Sequence, residues 1–153
     1  MILYHTSPEK IEKINKHRGP FSGALFFSDT PYFMSSASKL VYTINVNDSD
    51  FLDLYDLDDD LEILQDIIHM YSVLFDCEID TDDAYDYLVE DSDIFDEGFD
   101  GELASEFSWF IQGIQAKAAK NQGYLGIKSQ DEQGTVWIIN MIDKEHFLTL
   151  ENN

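Results

Sequence analysis

The sequence has little cysteine, little proline and no long hydrophobic run. It contains one cysteine, Cys77, and three prolines among 153 residues. One cysteine excludes an internal disulfide framework and is typical of a reducing compartment. No apolar run approaches the ~20 residues of a membrane span, and Met1 leads into a strand-like segment rather than a signal segment. We therefore expect a cytoplasmic protein, with residues 1–153 forming one domain with a real core.

Positive charge is also scarce. Nine Lys and Arg residues stand against 31 Asp and Glu, which gives a formal net charge of −22. Such a chain repels phosphates, so nucleic acid is excluded as a direct ligand. The charge favours a basic protein partner reached by electrostatic steering, for example a DNA-binding machine. On composition alone, an acidic surface that serves only solubility is an equally good interpretation.

The charges are segregated along the chain. No Lys or Arg occurs between Lys39 and Lys117, and most of the acids fall in that gap. The flanks, about 1–46 and 117–153, read as strand-rich, whereas the middle has helical spacing of apolar residues. The sequence therefore predicts an α+β fold, a split β-sheet scaffold with an acidic helical insert at about 48–102. Strands are predicted near 2–5, 24–29, 40–46, 124–129, 135–142 and 146–151, and helices near 61–75, 81–91 and 101–123, with shorter ones starting at Ser7–Pro8 and Thr30–Pro31.

Three short segments contain candidate binding or catalytic residues. His5 ends an apolar strand and is followed by two hydroxyl residues, Thr6 and Ser7, which places hydrogen-bonding groups at a strand mouth. In "ALFFSDTPYF", Phe26 and Phe27 point to opposite faces of a strand, so one can pack in the core while the other lines a cleft with Tyr32. For the first segment, the alternative is a serine that caps a helix beside a histidine whose hydrogen bonds are made within the protein. For the second segment, the alternative is that the aromatic residues all pack in the core.

The third segment is "SQDEQGTVW", residues 129–137. Asp131 and Glu132 precede an apolar strand outside the acidic insert, and a carboxylate there can stabilise an oxocarbenium-like centre. If the segment is extended, Gln130 and Glu132 share one face and Asp131 points to the other. The alternative is a polar turn between two strands. No phosphate-binding loop, dinucleotide fingerprint or metal-ligand motif occurs, so no metal is expected.

Taken together, these segments resemble the type I-F anti-CRISPR ADP-ribosyltransferases, a family similar to the transferases that use a His, a Tyr and an acidic residue. The resemblance lies in "HTSP", in "LFF" followed by Tyr32, in "SW" and "IQ", and most specifically in "AKAAK" and "QDEQGT". It runs from His5 to about Met141. The chain departs from the usual pattern in having one clear tyrosine in the second motif, which leaves one side of the nicotinamide clamp to Phe27.

The resemblance implies an NAD-dependent enzyme that transfers ADP-ribose to the large subunit of the type I-F CRISPR surveillance complex and blocks recognition of target DNA. It implies that Asp131 or Glu132 is catalytic, with Asp131 slightly preferred. It implies that NAD is bound by His5, Thr6, Ser7, Phe27, Ser28, Tyr32 and Trp109. Two other functions stay open at this point: a non-enzymatic acidic DNA mimic that covers a basic surface, and an ADP-ribosylating toxin with a different target.

Overall fold

The computed structural model describes residues 1–15, 23–31, 40–131 and 134–151. These residues form seven strands and three α-helices. The strands are β1 Ile2–Ser7, β2 Ala24–Phe27, β3 Leu40–Asn45, β4 Phe51–Asp53, β5 Gly126–Asp131, β6 Gly134–Asn140 and β7 Thr149–Leu150; the helices are α1 Leu61–Phe75, α2 Thr81–Leu88 and α3 Gly101–Asn121. Within these ranges, no helix has the length and hydrophobicity that crossing a membrane requires. The predicted α+β class is confirmed.

The strands form two sheets, as expected for a split scaffold. One sheet has the order β1-β3-β7, and the other has the order β2-β6-β5-β4. Neighbouring strands are antiparallel except β4 and β5, which run parallel. The two sheets touch where Tyr4 of β1 and Ser28, just after β2, exchange two backbone hydrogen bonds of 2.8 and 3.0 Å.

Each face of the four-stranded sheet covers its own hydrophobic core. Side chains alternate along β6, so Trp137 and Ile139 pack between the two sheets while Ile138 packs against the helices. On the helical side, Phe107 of α3 is fully buried among the aromatic rings of α1 and α2. Helix α3 therefore lies across the sheet face that carries the candidate site.

Asp side chains begin all three helices. Asp60, Asp80 and Asp100 each accept a hydrogen bond from a backbone N–H in the first turn of α1, α2 and α3. An acid at this position satisfies an orphan N–H and interacts favourably with the helix dipole. Some of the acidic residues in the middle segment are therefore explained by their role as helix N-caps.

Two local predictions are wrong. Up to residue 15, where the described segment ends, no helix follows Ser7–Pro8: the Ser7 hydroxyl instead bonds the backbone of Glu9, and the chain then runs irregularly. Ile11 and Ile14 are buried in the core between the sheets and hold this segment down. The insert predicted as helical at about 48–102 contains the strand β4, so its α-helices begin only after this strand. The helix predicted from Thr30–Pro31 falls largely on residues outside the described ranges.

Candidate active site

A cavity of about 380 Å³ opens where β1 and the end of β2 meet α3 and the β5–β6 hairpin. Its size lies in the usual range of roughly 300–1,000 Å³ for small-molecule sites. The walls formed by the described residues combine aromatic rings, hydroxyl groups, one imidazole and two carboxylates. The lining residues are Tyr4, His5, Thr6, Phe26, Ser28, Asp29, Thr30, Pro31, Trp109, Gln112, Asp131, Thr135 and Val136.

His5 is held in a defined orientation. It lies in the middle of β1, opposite Tyr42 of β3, and its Nδ1 is 2.8 Å from the Phe26 carbonyl oxygen. Because a carbonyl oxygen only accepts, Nδ1 carries the hydrogen and donates. In the neutral ring Nε2 is then a hydrogen-bond acceptor. The ring also contacts Phe27 below it, with 5.6 Å between the ring centroids.

The two phenylalanines of β2 separate as strand alternation predicts. Phe27 is 1% exposed and packs in the core between the sheets. Phe26 is partly buried on the opposite face and lines the cavity. The structure therefore gives the aromatic wall to Phe26, and Phe27 supports the imidazole of His5 from the core. Phe27 was expected to contact the cofactor, but it does not line this cavity, because its side chain is buried in the core on the other face of β2.

The hydroxyl residues also differ in their positions. Thr6 and Ser28 line the cavity. The Ser28 hydroxyl donates to the Thr30 carbonyl and so stabilises the turn that leads into Pro31. Ser7 is buried, and its hydroxyl bonds the backbone of Glu9, so it does not join the site.

Among the described residues of the β5–β6 hairpin, Asp131 is the carboxylate that lines the cavity. It is the last residue of β5 and pairs with Gly134, whose φ of 112° suits glycine. The neighbouring Gln130 lines a different cleft, and its amide donates to Thr135 Oγ1 at 3.0 Å. Glu132 and Tyr32 lie outside the described residues.

Helix α3 supplies the remaining wall. Trp109, 43% exposed, and Gln112 stand one turn apart and both line the cavity. Gln112 lines the candidate site but was not among the predicted site residues, although it lies in the "IQ" of the resemblance and three residues after Trp109. Asp29 and Thr30 were also missed, because their position depends on the contact between the two sheets.

The lining suits the nicotinamide–ribose end of a dinucleotide. Phe26 and Trp109 offer flat apolar surface for a ring, while Thr6 and His5 offer groups that bond hydroxyls. Among the described lining residues there is no Lys or Arg. The cavity therefore favours a cationic or neutral group over a phosphate, and nicotinamide in NAD carries a positive charge.

Comparison with known proteins identifies the family of the chain. Residues 1–145 match the family described as Anti-CRISPR Type I-F ADP-ribosyltransferase AcrIF11. The chain belongs to this family. It also resembles a solved structure described as the crystal structure of an anti-CRISPR protein, with a TM-score of 0.56, 20% identity, and coverage of 99% of this chain and 93% of that chain. At that identity the likeness supports the fold. No curated protein matches the chain.

Membership settles the class of activity. The chain is an anti-CRISPR ADP-ribosyltransferase, and this activity implies NAD as the donor of ADP-ribose. The resemblance expected from "HTSP", "AKAAK" and "QDEQGT" is confirmed over nearly the whole chain. An enzyme is therefore preferred over a decoy that acts by charge alone.

Proposed function

We propose that the cavity binds the nicotinamide–ribose end of NAD, and that ADP-ribose passes from it to a subunit of the type I-F surveillance complex, whose DNA recognition is then blocked. The observation that carries the proposal is convergence. His5, Phe26, Trp109 and Asp131 come from four separate segments of the chain and line one cavity. All four residues also lie in motifs that resemble the family.

His5 and the aromatic residues would bind and orient the donor. With Nδ1 engaged by the Phe26 carbonyl, Nε2 of the neutral imidazole would accept from a ribose hydroxyl. The ring of Phe26 would pack against the nicotinamide, and Trp109 would close the opposite side of the cavity. These contacts hold the ribose carbon that reacts in a fixed place, which lowers the entropic part of the barrier.

Asp131 would act on the charge that develops during the reaction. The bond between ribose and nicotinamide breaks, nicotinamide leaves with the electron pair, and the sugar becomes oxocarbenium-like. The Asp131 carboxylate at the cavity wall would stabilise that positive centre. A nucleophilic side chain of the target then attacks the ribose carbon and loses its proton, which completes the transfer. Glu132 stays the alternative carboxylate.

The acidic segment would dock on the target. Residues 48–102 contain most of the 31 acids and no Lys or Arg. A surface that reads DNA is basic, so opposite charge would steer the enzyme towards it. The ADP-ribose adduct carries two phosphates. Placed on that surface, it would repel the phosphates of the DNA backbone and block the contact between the surface and the DNA groove.

Intact mass spectrometry tests the proposal. The protein is incubated with purified type I-F complex, with and without NAD. We expect one subunit to gain the mass of one ADP-ribose only when NAD is present, and the modified complex to lose binding of its target DNA. Inhibition of DNA binding without NAD and without a mass change would contradict the proposal and support the DNA-mimic alternative.

Two variants place the reaction in the cavity. Asp131→Asn removes the carboxylate at the cavity wall, and Asp53→Asn is its matched control. Asp53 ends β4, the strand next to β5, and does not line the cavity. Asp131→Asn should lose most of the modification rate while Asp53→Asn keeps it. Equal loss in both variants would show that the effect is one of overall charge.

A further inference from the structure

A second cleft, of about 190 Å³, lies beside the proposed NAD cavity. Gln112 of α3 lines both, so the two openings are neighbours on α3. The cleft is bounded by the end of α2, the short 3-10 helix Ile94–Glu97 and α3. Its lining residues are Tyr87, Glu90, Ser92, Asp93, Ile94, Phe95, Phe107, Ser108, Ile111 and Gln112.

The cleft has an apolar wall and an anionic rim. Ile94, Phe107 and Ile111 are buried and form its floor. Glu90 and Asp93 stand exposed at its edge, and no Lys or Arg occurs among the described lining residues. An apolar channel that ends in carboxylates suits a long aliphatic side chain with a cationic head.

Glu90 is positioned by buried groups. Gln115 is fully buried, and its Nε2 donates to the Leu88 carbonyl at 2.9 Å and to Glu90 Oε2 at 3.4 Å. Glu90 itself has a φ of 63°, an uncommon conformation for a residue other than glycine and one that is often found at functional sites. Packing around the carboxylate raises the pKa of Glu90, and the charge of Asp93 adds to this, against the opposing hydrogen bond from Gln115. A bound cation would relieve that cost.

Two exposed aromatic side chains flank this region. Phe95 is 54% exposed at the cleft, and Trp109 is 43% exposed at the NAD cavity. Exposed aromatic residues beside a pocket are common anchors of protein interfaces. The two openings and their aromatic residues therefore form one continuous candidate surface for a protein substrate.

We infer that this cleft binds an arginine or lysine side chain of the protein substrate, next to the side chain that receives ADP-ribose. The inference rests on the proposed function, because it takes the neighbouring cavity as the NAD site. It adds a specificity determinant: the target must offer a basic residue close to the modified one. The occupant follows from charge complementarity between the anionic rim and a basic surface.

An NMR titration tests the cleft without knowledge of the target. The probe is the peptide acetyl-Gly-Arg-Gly-amide, and its matched control contains citrulline, which has the same shape and no charge. We expect saturable amide shifts at Ser108, Ile111 and Gln112 with the arginine peptide. The double variant Glu90→Gln/Asp93→Asn should weaken binding about fivefold or more, since two partly exposed charge contacts are lost. Asparagine at 93 retains the helix-capping oxygen.

Asp91→Asn is the control for overall charge. Asp91 is an exposed acid next to Glu90 in the chain that does not line the cleft. It should bind the arginine peptide like the wild type. Equal binding of the citrulline peptide, full binding by the double variant, or an equal loss in Asp91→Asn would overturn the inference.

NAD turnover in the absence of a protein substrate separates this inference from the proposed function. The double variant should hydrolyse NAD at the wild-type rate, because Glu90 and Asp93 do not line the NAD cavity. Absence of NAD turnover in the wild type, with peptide shifts intact, would contradict the cavity assignment and leave the cleft standing. Absence of peptide shifts with normal NAD turnover would contradict the inference about the cleft and leave the cavity assignment standing.

Discussion

Replacing Asp131 by Asn should slow ADP-ribose transfer to protein far more than it slows the hydrolysis of NAD. The substitution keeps the size of the side chain and removes its charge. Asp131 ends β5 and is exposed at the cavity wall. When no protein substrate is bound, water surrounds the carboxylate and screens its attraction for the developing positive charge.

Coulomb's law gives the size of the difference. For a separation of about 5 Å, the attraction is about 0.8 kcal/mol in water and about 3 kcal/mol at an effective dielectric constant of about 20. Docking of a protein over the exposed cavity moves the site from the first value towards the second. We therefore expect a loss of about fourfold in NAD hydrolysis and a loss of about 100-fold or more in protein modification.

Single-turnover assays measure both rates on the same enzyme preparation. Release of nicotinamide reports hydrolysis, and intact mass reports modification. Asp53→Asn should leave both rates near those of the wild type. Equal losses in the two reactions of Asp131→Asn would refute the reasoning, because the effect would not depend on exclusion of water. A wild-type rate of modification would make Glu132 the remaining candidate.

Four further predictions concern stability and association. Phe107→Ala should lower the free energy of unfolding by about 3–5 kcal/mol in a urea titration, because Phe107 is fully buried, whereas Phe95→Ala should change it by under about 1 kcal/mol. Gly126→Ala should cost about 1–3 kcal/mol in the same assay, because an added Cβ would strike the Ile138 carbonyl of β6. Folding raises the pKa of Glu90 above its usual value of 4.5, mainly because the carboxylate is desolvated. The protonated form therefore stabilises the fold at low pH, and this contribution is lost as the pH rises. Glu90→Gln should be more stable than the wild type at pH 7 and equally stable near pH 4, measured by the same urea titration. Neutralising a block of exposed acids in 48–102 should slow protein modification steeply at low salt and little at high salt, and an unchanged rate at low salt would contradict docking by this segment.

Long periodic segments were predictable from sequence, and so was the order of the elements. Leu61–Phe75 and Gly101–Asn121 are helices because their apolar residues recur at helical spacing over several turns. The missed strand, Phe51–Asp53, has three residues and no alternation to detect. It exists because Gly126 of β5 and its successors offer an edge for parallel pairing, which is a tertiary effect.

The lining of the candidate cavity was predictable in part, and the roles of its residues stay predictions. His5, Thr6, Ser28, Trp109 and Asp131 do line one cavity, and the resemblance located them. Strand alternation predicts that Phe26 and Phe27 point to opposite faces of β2, but it does not predict which of them faces the cavity. That choice depends on how the two sheets pack together. Ser7 was misplaced for a related reason: a local Ser turn replaced the expected helix cap.

Segregation of charge reconciles two opposing demands on the molecule. NAD carries a negative pyrophosphate, whereas a surface that reads DNA is positive, so one uniformly acidic protein would repel its donor while attracting its target. Every Lys and Arg lies in the flanks that build the sheets and end α3, and none lies between Lys39 and Lys117. In the proposed complex, the β scaffold therefore meets the dinucleotide and the acidic segment meets the protein. The cavity lies between them, where β1 meets β2 on one side and α3 on the other.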